Sequence, residues 1–163
     1  MGDLQLEAPS GDDALLDLHP ESLLLKPIMT GDVFVDVPVI GEEESSTVMV
    51  AGHPCTIRRG VELIARVPCV RVSPAEWLAY ENWARHDKNR FHLSEATGLG
   101  GQAGVLHDWV PVAREDLLRR RRRVTLQNYG IAVFQQRFTH SLTRSRITTS
   151  RGVLAGSTMP FHE

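Results

Sequence analysis

Apolar and polar positions alternate most clearly between Asp32 and Ile40, where Val33, Val35, Val37 and Val39 interleave with Phe34, Asp36, Pro38 and Ile40. A period of two is strand spacing, and Pro38, with no backbone N–H for a ladder, belongs at an edge or an end. Glu42 to Ser46 is a charged turn, and Thr47 to Gly52 is apolar enough for a central strand, so the two runs predict a hairpin. His53 to Gly60 reads as a connection. Glu62 to Val72 reads as a third strand whose interior Pro68 predicts an edge, a bulge or a break. Upstream, residues 1–13 form a loose lead-in, and the leucine-rich stretch Ala14 to Lys26, interrupted by Pro20, allows at most two short helical pieces.

The period then changes. Ser73 precedes Pro74 and stands three residues before Glu76, a capping box with proline at the first helical position. This predicts a helix from Pro74 to His86, with Trp77, Tyr80 and Ala84 on one packed face. Residues 94–104 read as a flexible glycine-rich loop, Val105 to Val112 as a strand and Val124 to Leu126 as a shorter one. A last helix, Asn128 to Arg144, buries Ile131, Phe134, Phe138 and Leu142, with Arg137, His140 and Arg144 projecting from its opposite side. The expected fold is α+β: a small, mostly antiparallel β-barrel or strongly bent sheet from residues 30–126, crossed by the 74–86 helix and closed by the 128–144 helix. The expected division is an acidic lead-in at 1–29, one globular domain at 30–146 and a tail at 147–163.

A length of 163 residues suits one core, and 42% hydrophobic with 23% charged residues excludes a wholly disordered or collagen-like chain. No apolar run is long enough to cross a bilayer and the acidic start lacks a secretory pattern, so a cytoplasmic location and no membrane contact are expected. Charge is strongly segregated. Residues 1–50 carry eleven acidic side chains against Lys26 alone, whereas residues 114–151 carry ten arginines against Glu115 and Asp116. Sixteen of the eighteen basic residues are arginine, which favours planar, bidentate contacts to phosphate or carboxylate.

Few motifs carry chemistry. Gly98 to Ala103 matches the letters G-x-G-x-x-A, but no strand feeds it and no helix follows it, so nucleotide binding is not expected. His53, Cys55 and Cys69 offer three zinc-type ligands without a second paired motif; Cys69 in a strand reads as core, and no metal or cofactor is expected. Cys55 lies in a turn beside Arg58 and Arg59, an electropositive setting for a thiol. The run Arg119, Arg120, Arg121, Arg122 and Arg123, with Arg137 and Arg144, has two readings: phosphate contact, or a face neutralised by the acidic N-terminal third. In a strand, alternate arginines point to opposite faces, so not all five can meet one ligand.

Thr30 to Val37, Val48 to Cys55 and Arg123-Val124-Thr125-Leu126 leading to Gln135-Gln136-Arg137-Phe138 and Arg144 resemble a poorly characterised group of bacterial and phage proteins. In that group a Gly-Asp-Ile/Val strand precedes an apolar strand ending in a cysteine turn, often Gln-Ser-Cys-Asp. This chain has His53-Pro54 and Thr56 at those places. The resemblance implies association with mobile elements or defence regions and no particular activity. More faintly, the first half resembles the small barrel of the MazF/PemK toxins, which implies metal-independent RNA cleavage. Ser45-Ser46-Thr47 stands where that family has Gly-x-Arg-Pro, removing its catalytic arginine.

Two functions follow as expectations. One is a non-enzymatic module of a bacterial or phage conflict system, holding nucleic acid or an acidic protein partner through the basic C-terminal region, with a homodimer as a further arrangement. The other is a metal-independent ribonuclease centred on the His53 to Arg59 turn, with His53 as acid or base and Arg58 or Arg59 stabilising the phosphorane.

Overall fold

A computed structural model describes residues 6–154, and the side chains of residues 6–143. Eight strands and four α-helices are present among them: α1 (Asp12–Leu15), α2 (Pro20–Leu25), β1 (Val33–Pro38), β2 (Ser45–Val50), β3 (Arg58–Arg59), β4 (Glu62–Leu63), β5 (Arg66–Pro74), β6 (Arg90–Leu93), β7 (Gln102–Ala113), α3 (Arg114–Arg119), β8 (Arg122–Val124) and α4 (Asn128–Leu154). Six strands form one curled half-barrel sheet in the order β6-β7-β5-β2-β1-β8, every pairing antiparallel, as the short turns between successive runs predict. Strands β3 and β4 make a separate two-stranded hairpin.

The valine alternation of β1 places Val33 against one core and Phe34 and Val37 against another. Between Phe34 and Val37 the register with β2 shifts, and Asp36 takes a left-handed φ of 54°. That bulge bends the strand and turns Asp36 out to solvent. One core lies between the sheet and α1 with α4, around Met49, Val70, Phe91, Leu106 and Phe134; the other gathers Phe34, Val50, Cys69, Val112 and Leu117 beneath α3 and the hairpin.

Three local expectations are refined or overturned. The strand expected at 62–72 is broken into β4 and β5, and β5 has a register shift against β7 between Val70 and Val72; Pro68 itself sits in an interior strand, because β5 lies between β2 and β7, and it faces Pro111. The Pro68 carbonyl accepts from Ala51 N–H and the Pro111 carbonyl from Ile40 N–H, so both rings turn their donor-less nitrogens away from each other and no bond between them is lost. The helix expected at 74–86 does not form. Ser73 and Pro74 continue β5 opposite Ala103 and Gln102, so the capping residue is already spent in a ladder, and only a 3₁₀ turn at Tyr80–Asn82 follows. The glycine-rich stretch is a tight turn at Gly98 and Gly101, both with left-handed φ, and residues 102–104 already belong to β7.

The long helix extends beyond its expected end at Arg144, to Leu154. Its start is tied to the N-terminal segment: a Cβ at Gly130 would strike the Leu15 carbonyl, so this close approach needs glycine. Arg137 was expected to project from the helix toward a ligand, and it is fully buried instead. Its guanidinium lies 4.8 Å from the Trp83 ring centroid and donates to the Trp83 and Asp87 carbonyls, and burial draws its pKa down to about 10. The side chain of Arg144 lies outside the described residues.

Beside Arg137, buried His92 meets Asp87 at 2.7 Å, and burial holds its pKa below the usual 6.5 although Asp87 opposes the shift. As pH falls through 6.5 the unfolded chain takes up this proton first, so His92 makes stability fall on acidification. Thermal melts above and below pH 6.5 are expected to show that loss, and His92→Gln is expected to flatten it.

Candidate anion-binding cleft

The fold converges its cations on one cleft of about 650 Å³. Its walls are the end of α2 with the irregular segment after it (Leu23, Leu24, Lys26, Pro27, Ile28), the β3–β4 hairpin (Arg58, Val61, Glu62, Leu63), α3 (Arg114, Leu117, Leu118) and the arginine run (Arg120, Arg121, Arg122), with Phe34 of β1 at the base. Five arginines and Lys26 therefore share this space with one lining carboxylate, Glu62. Lys26, Arg114, Arg120 and Arg122 each also meet a carboxylate, of Asp17, Glu115, Asp36 and Asp32, so Arg58 and Arg121 are the lining cations without an ion-pair partner among the described residues.

Each arginine is placed differently. Arg122 belongs to β8 and points inward. It meets the Asp32 carboxylate at 2.6 Å, and it donates to the carbonyls of Leu23 (3.2 Å), Pro27 (2.9 Å) and Lys26. Asp32 is fully buried; desolvation pushes its pKa up, opposed first by Arg122. The pair is a structural brace that fixes the α2 wall, so Arg122, expected among the nucleic-acid contacts, is buried and engaged within the chain. Arg120 reaches Asp36 at 3.8 Å across exposed surface. Arg121 is exposed and has no hydrogen-bond or ion-pair partner among the described residues. Arg119 is exposed at the end of α3, and Arg123 faces a small separate pocket with Asp17 and Thr97. The run thus divides as strand and turn geometry demands, with Arg120 to Arg122 on the cleft and Arg119 and Arg123 off its lining.

The hairpin contributes Arg58, whose NH1 and NH2 each donate at 2.8 Å, to the carbonyls of Val61 and Ile28. These neutral acceptors hold the guanidinium in place without cancelling its charge. Arg59 is exposed opposite Glu62 in the hairpin ladder and does not line the cleft. His53 is exposed at the preceding turn, where its Nδ1 accepts from Cys55 N–H at 3.1 Å; it is not among the cleft-lining residues. Cys69 is core, with its thiol pushed up by burial to about 12, and Cys55 is a free exposed thiol. Among the described residues no three His, Cys, Asp or Glu side chains come together as a metal site.

Arg114 and Glu62 line the cleft and were not singled out from sequence. Arg114 donates to the Leu63 carbonyl at 2.8 Å and so ties α3 to the hairpin. Its only sequence signal was its place at the head of the basic segment.

Neither the protein-family models nor the curated protein sequences match this chain. Two solved structures are similar to it: an endoribonuclease from Mycobacterial species, at 8% identity and TM-score 0.48 over 74% of this chain and 95% of that one, and an endoribonuclease in complex with its cognate antitoxin from Mycobacterial species, at 8% identity and TM-score 0.48 over 71% of this chain and 95% of that one.

Proposed function

We propose that this protein binds RNA through the arginine cleft and cleaves it without a metal: the ribose 2′-oxygen attacks the adjacent phosphate, the bond from phosphorus to the 5′-oxygen breaks, and that oxygen leaves with a proton from solvent, giving a 2′,3′-cyclic phosphate and a 5′-hydroxyl. The observation that carries the reading is that Arg58 of the hairpin and Arg121 of the turn before β8, neither in an ion pair among the described residues, line one cleft together with Arg114 and Arg120, whose carboxylate partners Glu115 and Asp36 are exposed. Such a cleft fits a phosphodiester backbone. Glu62, opposite Arg59 in the hairpin ladder and a lining residue of the cleft as Arg58 is, supplies the carboxylate to take the 2′-hydroxyl proton, and Arg58, held by two carbonyls, supplies the cation for the charge that grows on the phosphorane. This is the activity that the MazF/PemK resemblance implies, carried by different residues than the missing Gly-x-Arg-Pro.

Filter binding of single-stranded RNA across a salt series tests the binding step. Arg121→Ala is expected to weaken binding and to reduce the slope of log affinity against log salt by about 0.7, the release expected for one phosphate contact. An unchanged slope removes Arg121 from the interface. Incubation of RNA with the protein in EDTA tests cleavage, and growth arrest on expression is the expected cellular counterpart. Intact RNA at high protein concentration would leave a binding function only.

A further inference from the structure

Beside the cleft lies a second, smaller pocket of about 100 Å³, to which the RNA reading gives no role. Its apolar walls are Leu16 and Leu18 of the segment after α1, Leu23 of α2 and Val124 of β8. Leu23 lines the cleft as well, so the two spaces adjoin. Two charged groups line the pocket, Arg123 and Asp17, and they form no ion pair with each other. Arg123 is exposed and has no hydrogen-bond or ion-pair partner among the described residues; its guanidinium lies over the Gly98 turn, 4.0 Å from where a Cβ would stand. Asp17 Oδ1 accepts from the His19 N–H at 3.2 Å, Oδ2 faces Lys26 at 3.5 Å, and Ser22 adds a hydrogen bond, which still leaves acceptor capacity on a carboxylate with about four positions. An uncommitted five-donor fork and an acceptor-only group within apolar walls suit a neutral ligand that carries both acceptors and donors.

We infer that this pocket receives a guanine base, with Arg123 donating to O6 and N7, Asp17 accepting from N1–H and the 2-amino group, and the ring lying against Leu16, Leu23 and Val124. The pair of opposite charges selects it. A phosphate or carboxylate would meet Arg123 but set its charge beside Asp17, and a cation would be repelled by Arg123. Among the neutral bases, guanine alone presents two acceptors along one edge and two donor groups along the next. Adenine would turn its amino group toward the donors of Arg123, uracil has one N–H between two carbonyls, and cytosine has one amino group beside its acceptors. The base has two sources, a strand lying in the cleft whose neighbouring nucleotide passes Leu23, or a free guanine nucleotide. The inference rests on the RNA reading for the first source only.

The test uses the full chain with the four nucleoside 5′-monophosphates, which share ribose and phosphate, and with oligouridine carrying one guanosine or none. Titration with the guanine nucleotide is expected to move the amide resonances of Thr97 and Val124, and the other three nucleotides are expected to bind at least about tenfold more weakly. Replacing N7 by carbon, or removing the 2-amino group as in inosine, is each expected to weaken binding about fivefold or more, because one edge faces Arg123 and the other Asp17. Arg123→Ala is expected to abolish the guanine preference, and Arg119→Ala, also exposed but off both linings, is expected to keep it. Circular dichroism checks that both variants fold. A guanosine that strengthens oligouridine binding about tenfold in wild type and not in Arg123→Ala identifies the strand as the source. Guanine-nucleotide preference with equal binding of the two oligonucleotides identifies the free nucleotide. Equal or absent binding of the four monophosphates, a guanine preference that survives Arg123→Ala, or undiminished binding of the 7-deaza form would each overturn the inference. Failure of the wild-type protein to bind either RNA overturns the RNA reading instead, and the monophosphates then decide the pocket by themselves.

Discussion

Arg122→Ala is expected to destabilise the protein by roughly 3–5 kcal/mol, the range for removing one partner of a buried ion pair. Arg122 has 5% of its side chain exposed and Asp32 none, so the substitution leaves a carboxylate stranded without solvent. It also removes the three hydrogen bonds that Arg122 donates to the Leu23, Lys26 and Pro27 carbonyls. The Asp32 carboxylate would keep the Met29 N–H, which donates to it at 2.8 Å, but no cation. Urea denaturation followed by circular dichroism measures the loss. The double variant Asp32→Leu with Arg122→Met, which removes both charges, is expected to recover much of it, because the cost lies in the unpaired charge more than in the absent attraction. A midpoint for Arg122→Ala indistinguishable from wild type would mean that the brace does not hold the α2 wall.

This brace explains why the site was only partly legible in the sequence. Five successive arginines declare a basic surface, but whether one of them turns inward depends on an aspartate ninety residues earlier. The charge segregation pointed to intramolecular pairing and to ligand contact alike, and the chain does both: Arg122 and Arg120 answer carboxylates of the N-terminal third, while Arg121 stays uncommitted. Arg137 misled through its spacing. Position along a helix says which residues share a face, and only tertiary packing reveals that Trp83 covers that face.

The fold was more legible where one signal dominated. The valine alternation of β1 and the apolar β2 specify a hairpin from local pattern alone, and both strands form close to where they were expected. At Ser73 a helix-start pattern competed with continued pairing against β7, and the pairing won. Strand β6 has four residues, three of them buried, preceded by the charged run Arg85 to Lys88, too short for periodicity to mark. The leucines of α2 were visible as composition, but their exposure around the cleft needed the fold.

The hairpin carries the largest expected effect on activity. Arg58→Ala is expected to lower the rate of RNA cleavage about 10²- to 10³-fold, as removal of one fixed donor to a developing oxyanion does elsewhere. Its anchoring by Ile28 and Val61 means that the guanidinium needs no reorganisation as the phosphorane forms, whereas a mobile surface arginine would. Glu62→Gln keeps the shape of the side chain and removes its basicity, so a loss of about 10²-fold or more in cleavage with unchanged RNA affinity would identify it as the proton acceptor. His53→Ala serves as the opposing arm, because that histidine lies off the cleft lining and at the turn where sequence reasoning first placed the chemistry. Single-turnover cleavage of one RNA by the three folded variants separates the cases: loss in Arg58→Ala and Glu62→Gln with His53→Ala intact assigns the reaction to the hairpin. Loss in His53→Ala with Glu62→Gln intact would move the base to the turn. Cleavage unchanged in all three would remove both.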